Sequence, residues 1–225
     1  LVIPDTQVKK GVPLEHLTAL GNYIVEKKPD VIVHIGDHWD MESISTYAKA
    51  KEMEGRRIIQ DLESGHEGME ALLAPVKKFN KQRRKWKEKQ YRPRMEFCLG
   101  NHEERLKRHI DSNPALDGVM TYPDAFNLES YGWNVNEFLK PVVIEGIMFA
   151  HYFYNPMTGK PIGGMIDSRL KNIGFTFTQG HVQGFAYGQR TLNNGKTITG
   201  VVAGSYYQHD EGYKGPQANE HWHGL

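Results

Sequence analysis

The sequence predicts a layered α/β fold in one domain spanning residues 1–225. Three observations carry this. Short apolar runs of strand length alternate with stretches of helical periodicity. Several of those runs stop at Gly, Asp, Asn or His, which place turns and polar groups at strand ends. The composition, 39% apolar and 24% charged over 225 residues, suits a globular chain that buries roughly 70% of its surface without disulfides.

Leu1–Ile3 reads as a strand ending at Pro4-Asp5, and because it opens the chain, further residues are expected upstream, with a removed leader left open. Leu14, Leu17, Leu20, Ile24 and Val25 recur at helical spacing until Lys28-Pro29 closes the helix. Val31–Ile35 reads as a buried strand ending at Gly36-Asp37. Met69, Leu72, Leu73, Val76, Phe79 and Trp86 predict a long amphipathic helix with a kink at Pro75. Met95–Leu99 is a third strand, ending at Gly100, with a helix from about His102. The second half reads as more antiparallel, with strands at Val142–Ile144, Gly146–His151, Phe175–Thr178 and Ile198–Ala203. Ile166 and Leu170 mark a short helix, and Asn193-Asn194-Gly195 a hairpin turn.

Cys98 is the only cysteine, so no internal disulfide forms, and a reducing, cytoplasmic setting is expected. It lies in an apolar strand and reads as core. No run approaches the roughly 20 apolar residues of a membrane span, so no membrane contact is expected. The net charge of +1 conceals an asymmetry: Lys77 to Arg94 holds ten Lys or Arg against Glu88 alone, so +9 there leaves 1 − 9 = −8 elsewhere.

Polar residues gather where strands end: Asp5-Thr6-Gln7, Gly36-Asp37-His38-Trp39-Asp40, Gly100-Asn101-His102-Glu103, His151, and Gly180-His181-Val182-Gln183. Ligand sites in α/β sheets lie beyond the carboxyl ends of strands, and clusters of Asp, Asn and His suit divalent cations. In order and placement these five blocks resemble those of the calcineurin-like metallophosphoesterases, D-x-H, G-D-x-x-D, G-N-H-[DE], H and G-H-x-H. The resemblance spans most of the chain and implies the layered metallophosphoesterase fold, a β-sandwich of mixed sheets flanked by helices.

It further implies two divalent metal ions sharing Asp37, one also held by Asp5 and the positions of Gln7 and Gln183, the other by Asn101, His151 and His181. His102 would be the catalytic residue, protonating the leaving oxygen, and the nucleophile would be a hydroxide between metals roughly 3.5–4 Å apart. Gln7 and Gln183 stand where the family pattern has histidines. Amide oxygens make the first site oxygen-rich, which favours Mn²⁺ or Mg²⁺ over Zn²⁺ and weakens that ion's binding. His38 and Arg105 flank the blocks as candidate contacts to a phosphoester substrate, and Asp40 is expected to steady the loop or a histidine.

The stretch between Asp37 and Asn101 is long for the family, and it reads as a basic helical insertion around residues 62–94. Its cations, interleaved with Trp86 and Tyr91, suit a nucleic-acid backbone; a solvated cationic helix face is the plainer alternative. The tail, with His209-Asp210-Glu211 and His221-Trp222-His223, reads as a surface segment. The expected activity is hydrolysis of phosphodiesters, in nucleic acid or nucleotides. Two alternatives stay open: a phosphomonoesterase acting on a phosphoprotein or metabolite, and a catalytically weak member serving as a binding scaffold.

Overall fold

A computed structural model describes residues 1–46, 54–116, 118–209 and 221–225. The N-terminal half builds a four-stranded sheet in the order β1 (Val2–Ile3), β2 (Val31–His34), β3 (Arg94–Cys98) and β4 (Asn134–Asn136). All its pairings are parallel, Val2 opposite Val33 and Val31 opposite Arg94 for example. Parallel neighbours need crossovers. Helix α1 (Glu15–Lys27) supplies the first, α2 (Ile58–Lys85) lies in the second, and α3 (Asn101–Asp111) and α4 (Tyr122–Phe126) lie in the third.

The second sheet runs β5 (Val142–Ile144), β6 (Ile147–Ala150), β7 (Phe177–Gln179), β9 (Thr197–Ala203), β8 (Phe185–Thr191). Its outer pairs, β5 with β6 and β8 with β9, are antiparallel, whereas β7 pairs parallel with both neighbours. The sheets are therefore not both mixed. The first is wholly parallel, and half the pairings of the second are parallel too. The reason is the crossover through α5 (Ile166–Ile173), which returns the chain to run beside β6 in the same direction.

Side-chain alternation decides the layers. Ile32 and Phe97 face α1 and α2, packing with Leu17, Leu20, Met69 and Leu72. Val33, Ile35 and Cys98 face the other way and meet Ile144 and Phe149 of the second sheet. Phe177 and Ile198 turn outward to Leu170 of α5. The order is helices, sheet, sheet, helix, and Cys98 is core between the sheets.

Helix α2 packs into the core through Leu62, Met69, Leu72 and Leu73. Pro75 lies within it, and the helix continues to Lys85. Trp86 caps that end and is 71% exposed, so it does not belong to the packed stripe that its spacing suggested. Among the described residues, no helix is long and apolar enough to cross a membrane.

Candidate metal centre

The strand ends that the sequence marked come together at one edge of the two sheets. Asp5 and Gln7 follow β1, Asp37 follows β2, and His151 and His181 follow β6 and β7. Asn101 and His102 open helix α3 (Asn101–Asp111) directly after β3. Asp5, Gln7, Asp37, His102, His151 and Gln183 are all buried. Four of the marked residues hold left-handed backbone, Gln7 at φ 38°, Asp37 at 53°, His181 at 70° and Gln183 at 63°. Such conformations cost about 1–3 kcal/mol each in a non-glycine residue and gather where function over-determines the backbone.

Asn101 Oδ1 lies 2.8 Å from His151 Nε2 and 2.8 Å from His181 Nδ1. Asp37 Oδ2 is 3.3 Å from the same His151 nitrogen. One ligating atom each from Asp37, His151 and His181 falls within 4.8 Å of the others. Two glycines allow the acids to sit here. A Cβ on Gly100 would stand 2.1 Å from Asp37 Oδ1, and one on Gly180 would stand 2.4 Å from Asp5 Oδ1.

Electrostatics describe a centre that wants a cation. Burial pushes the Asp5 carboxyl up to about 7, with Asp37's charge adding to it and His151 opposing. Burial works on Asp37 as well, but His102 and His151 outweigh it and hold Asp37 well below the usual carboxylate range. His151 is buried, which opposes a charge, yet Asp37 and Asp5 raise it to about 9. With Nδ1 bonded to Ile35 O at 2.8 Å and Nε2 to Asn101 Oδ1, both of its nitrogens donate. Burial lowers His181 to about 4, His151's charge helping. A divalent ion among these donors would replace the His151 Nε2 proton, leaving Nδ1–H on Ile35 as the outer bond that orients a ligating imidazole.

The two glutamines part company. Gln7 is 1% exposed, and among the described residues neither atom of its amide has a hydrogen-bond partner. An unpaired buried amide costs about 1–3 kcal/mol per group, so an ion or water against its oxygen fits the position. Gln183 Oε1 instead accepts from Tyr207 Oη at 3.0 Å, and that hydroxyl lies 3.1 Å from His221 Nδ1. Trp222 N donates to Gln183 O at 2.9 Å, and Ser205 bridges His223. The tail's His209 stacks beside Tyr207 at 4.7 Å between ring centres, while Asp210 and Glu211 lie outside the described residues.

His102 turns Nδ1 to Asp40 Oδ1 at 2.9 Å, and its Nε2 accepts from Arg105 Nη2 at 2.8 Å. Nε2 is also 3.6 Å from Asp37 Oδ2. Burial opposes a charge on this ring, but Asp37 and Asp40 raise its pKa above the usual imidazole value. Asp40 therefore holds a histidine, and Arg105 Nη1 steadies Asp40 in turn through its carbonyl at 2.8 Å. Arg105 thus touches both His102 and Asp40. His38 does not present itself to a substrate: it is fully buried, with Nδ1 on Thr6 Oγ1 at 2.7 Å and Nε2 on Gly65 O at 2.9 Å. Both nitrogens are committed to tying β1 and α2 to the Asp37 loop.

One residue of this network carried no role in the sequence reading. The fully buried Glu103 carboxylate accepts from the backbone N–H of Asp37 (2.9 Å), His38 (2.7 Å), Trp39 (3.1 Å) and Gly100 (2.8 Å). It fixes the Asp37 loop against the start of α3. An acid three residues after Gly100 at a helix start is a capping-box signal, which could have revealed it.

Metal binding should release protons. His151 and Asp5 hold protons up to about 9 and about 7, so a cation must displace them below those values. Mn²⁺ affinity, measured by calorimetry, should rise from about pH 6 to about pH 8, by up to tenfold per unit for each proton displaced. An affinity flat across that range would separate these residues from the metal.

Comparison with protein-family models yields no match for the chain, and no curated protein matches it.

Proposed function

We propose that this chain is a metal-dependent phosphodiesterase of the calcineurin-like kind. The observation that carries the reading is the meeting of Asp37, Asn101, His151 and His181 from four separate stretches, beside a histidine held on a carboxylate. A purely structural cluster has no need of a buried imidazolium and two buried carboxyls at the open ends of strands. Function offers a reason for that cost, since perturbed titrating groups in such a cluster mark active sites.

Asp37, Asn101, His151 and His181 would hold one divalent ion, and Asp5 with Gln7 the start of a second, weaker one. Their mixture of carboxylate, amide and imidazole donors suits Mn²⁺. Bound there, the metal supplies charge neutralisation at the phosphoryl oxygens and a water of lowered pKa. The chain's own residues do the rest. His102, oriented by Asp40, carries a proton on Nε2 to the departing oxygen once Arg105 moves from that nitrogen to a phosphoryl oxygen. Arg105 suits this exchange because its planar fork pairs with phosphate oxygens. Burial opposes a charge on His102, but Asp37 and Asp40 raise its pKa above the usual imidazole value, which favours the protonated form.

The test is hydrolysis of bis(4-nitrophenyl) phosphate against 4-nitrophenyl phosphate in the presence of Mn²⁺. Faster turnover of the diester is the expected result. Preference for the monoester would favour a phosphomonoesterase, and no turnover of either with metal bound would favour a scaffold.

A further inference from the structure

The basic stretch 77–94 stands far from the candidate centre. Helix α2 passes the centre near its start, where Gly65 O takes the His38 bond. Its far end lies where β2 and β3 begin: Tyr91 Oη donates to Pro29 O at 2.6 Å and Arg94 N to Asp30 O at 2.9 Å. At 1.5 Å per residue, the helix carries the chain about 27 Å from Gly65 to Arg83.

The turn that closes α2 is built rather than frayed. Asn80 and Tyr91 exchange two hydrogen bonds of 2.8 Å, and Arg83 Nε donates to Lys89 O. Phe79 forms an aromatic floor, with Lys28 5.1 Å and Arg83 5.4 Å from its ring centre. Around it lies a cavity of about 290 Å³ lined by Lys28, Phe79, Arg83, Lys89 and Arg92, with Asp30 as its single acid. Among the described residues Lys28, Lys89 and Arg92 make no ion pair, and Arg83 pairs with Glu88 at 3.2 Å. A helix C-terminus attracts cations, which accounts for Arg83, Arg84 and Lys85 in the last turn. It does not account for Lys87, Lys89 and Arg92 beyond the helix, or for an indole at Trp86 left 71% exposed beside them.

We propose that this turn anchors single-stranded nucleic acid at a site separate from the metal centre. Unpaired cations match the phosphates, and the exposed indole offers a stacking face that any base can use. An acidic peptide would use the cations but give Trp86 no partner of its own. The binding itself stands without the phosphodiesterase reading; its consequence for substrate choice rests on that reading. A strand held at both places must span about 27 Å, or about eight nucleotides at a stacked rise of about 3.4 Å. Long strands would thus be cleaved in preference to short ones.

The experiment uses the full chain and an end-labelled oligothymidylate of about 20 nucleotides, well above the smallest known single-strand site sizes. Anisotropy gives its affinity across a salt series for wild type, for Trp86→Ala and for the triple variant Lys87→Gln/Lys89→Gln/Arg92→Gln. All four substituted side chains are exposed, so folding should be untouched. The triple variant should lose about two units of the log–log salt slope, at about 0.7 per contact. Trp86→Ala should weaken binding about tenfold, within the usual worth of one stacked base. Turnover of bis(4-nitrophenyl) phosphate should not change in either variant. Wild-type binding that is absent, or equal in the triple variant with the same salt slope, overturns the anchor whatever the diester result. Binding lost in the triple variant while no protein hydrolyses the small diester supports the anchor and removes the phosphodiesterase reading instead.

Discussion

His102→Ala should lower kcat for a phosphodiester by about 10²–10⁴-fold, the scale of a lost general acid, while bound metal stays the same. The two effects separate because of where the ring points. Nδ1 is spent on Asp40 and Nε2 faces Arg105, so neither nitrogen is needed by the Asn101, His151 and His181 set. The backbone N–H of residue 102 donates to Asp37 Oδ1 at 2.9 Å, and alanine keeps that bond. A nitrophenyl leaving group hardly needs a proton, so the loss should shrink toward the lower end for activated substrates. Steady-state kinetics on an alkyl and a nitrophenyl diester, with metal analysis of the same samples, decide the matter. Metal lost together with activity would place His102 among the ligands.

Asp37→Asn should weaken Mn²⁺ binding by more than about 100-fold, beyond the roughly 10–100-fold typical of losing an outer-shell partner, and take diester turnover to background. The substitution keeps the shape of the side chain and removes only its charge. That charge holds His151 at about 9, and Asp37 lies 3.3 Å from His151 and 3.6 Å from His102. Without it, His151 should give up its proton more readily, so the metal-free variant should stay folded with a neutral imidazole at that position. Calorimetric titration with Mn²⁺, checked by thermal unfolding, measures both. A variant that binds Mn²⁺ as tightly as wild type would exclude Asp37 from the centre.

Most of the fold was legible because its signals are local. The runs at Val31, Met95, Val142 and Ile198 show where strands fall, since short apolar runs bounded by turn residues mark strands. β4, with its polar Asn134-Val135-Asn136, was not legible. Its backbone joins the parallel sheet while Asn134 and Asn136 bond the Glu96 carboxylate, a pairing no hydrophobic pattern announces. β8 was missed for a related reason: alternate residues such as Phe185 and Tyr187 point outward, leaving little apolar periodicity to read.

At the site, residue types and strand-end positions pointed to the five polar clusters, and the resemblance to the calcineurin-like metallophosphoesterases singled out Asp5, Asp37, Asn101, His102, His151 and His181 among them. Where each side chain points was decided only by tertiary packing. His38 and His102 each follow a strand end, and sequence distinguishes them poorly. One is sealed between Thr6 and Gly65; the other is held on Asp40 at the centre. Gln7 and Gln183 likewise read as a matched pair until packing brings Tyr207 to one and leaves the amide of the other without a partner among the described residues. Hydrogen bonds between residues 20 to 180 positions apart depend on angles and distances that the pattern of a single strand or helix does not encode. The side-chain types that gather at this edge are therefore specified by composition, and their arrangement by the packing of two sheets.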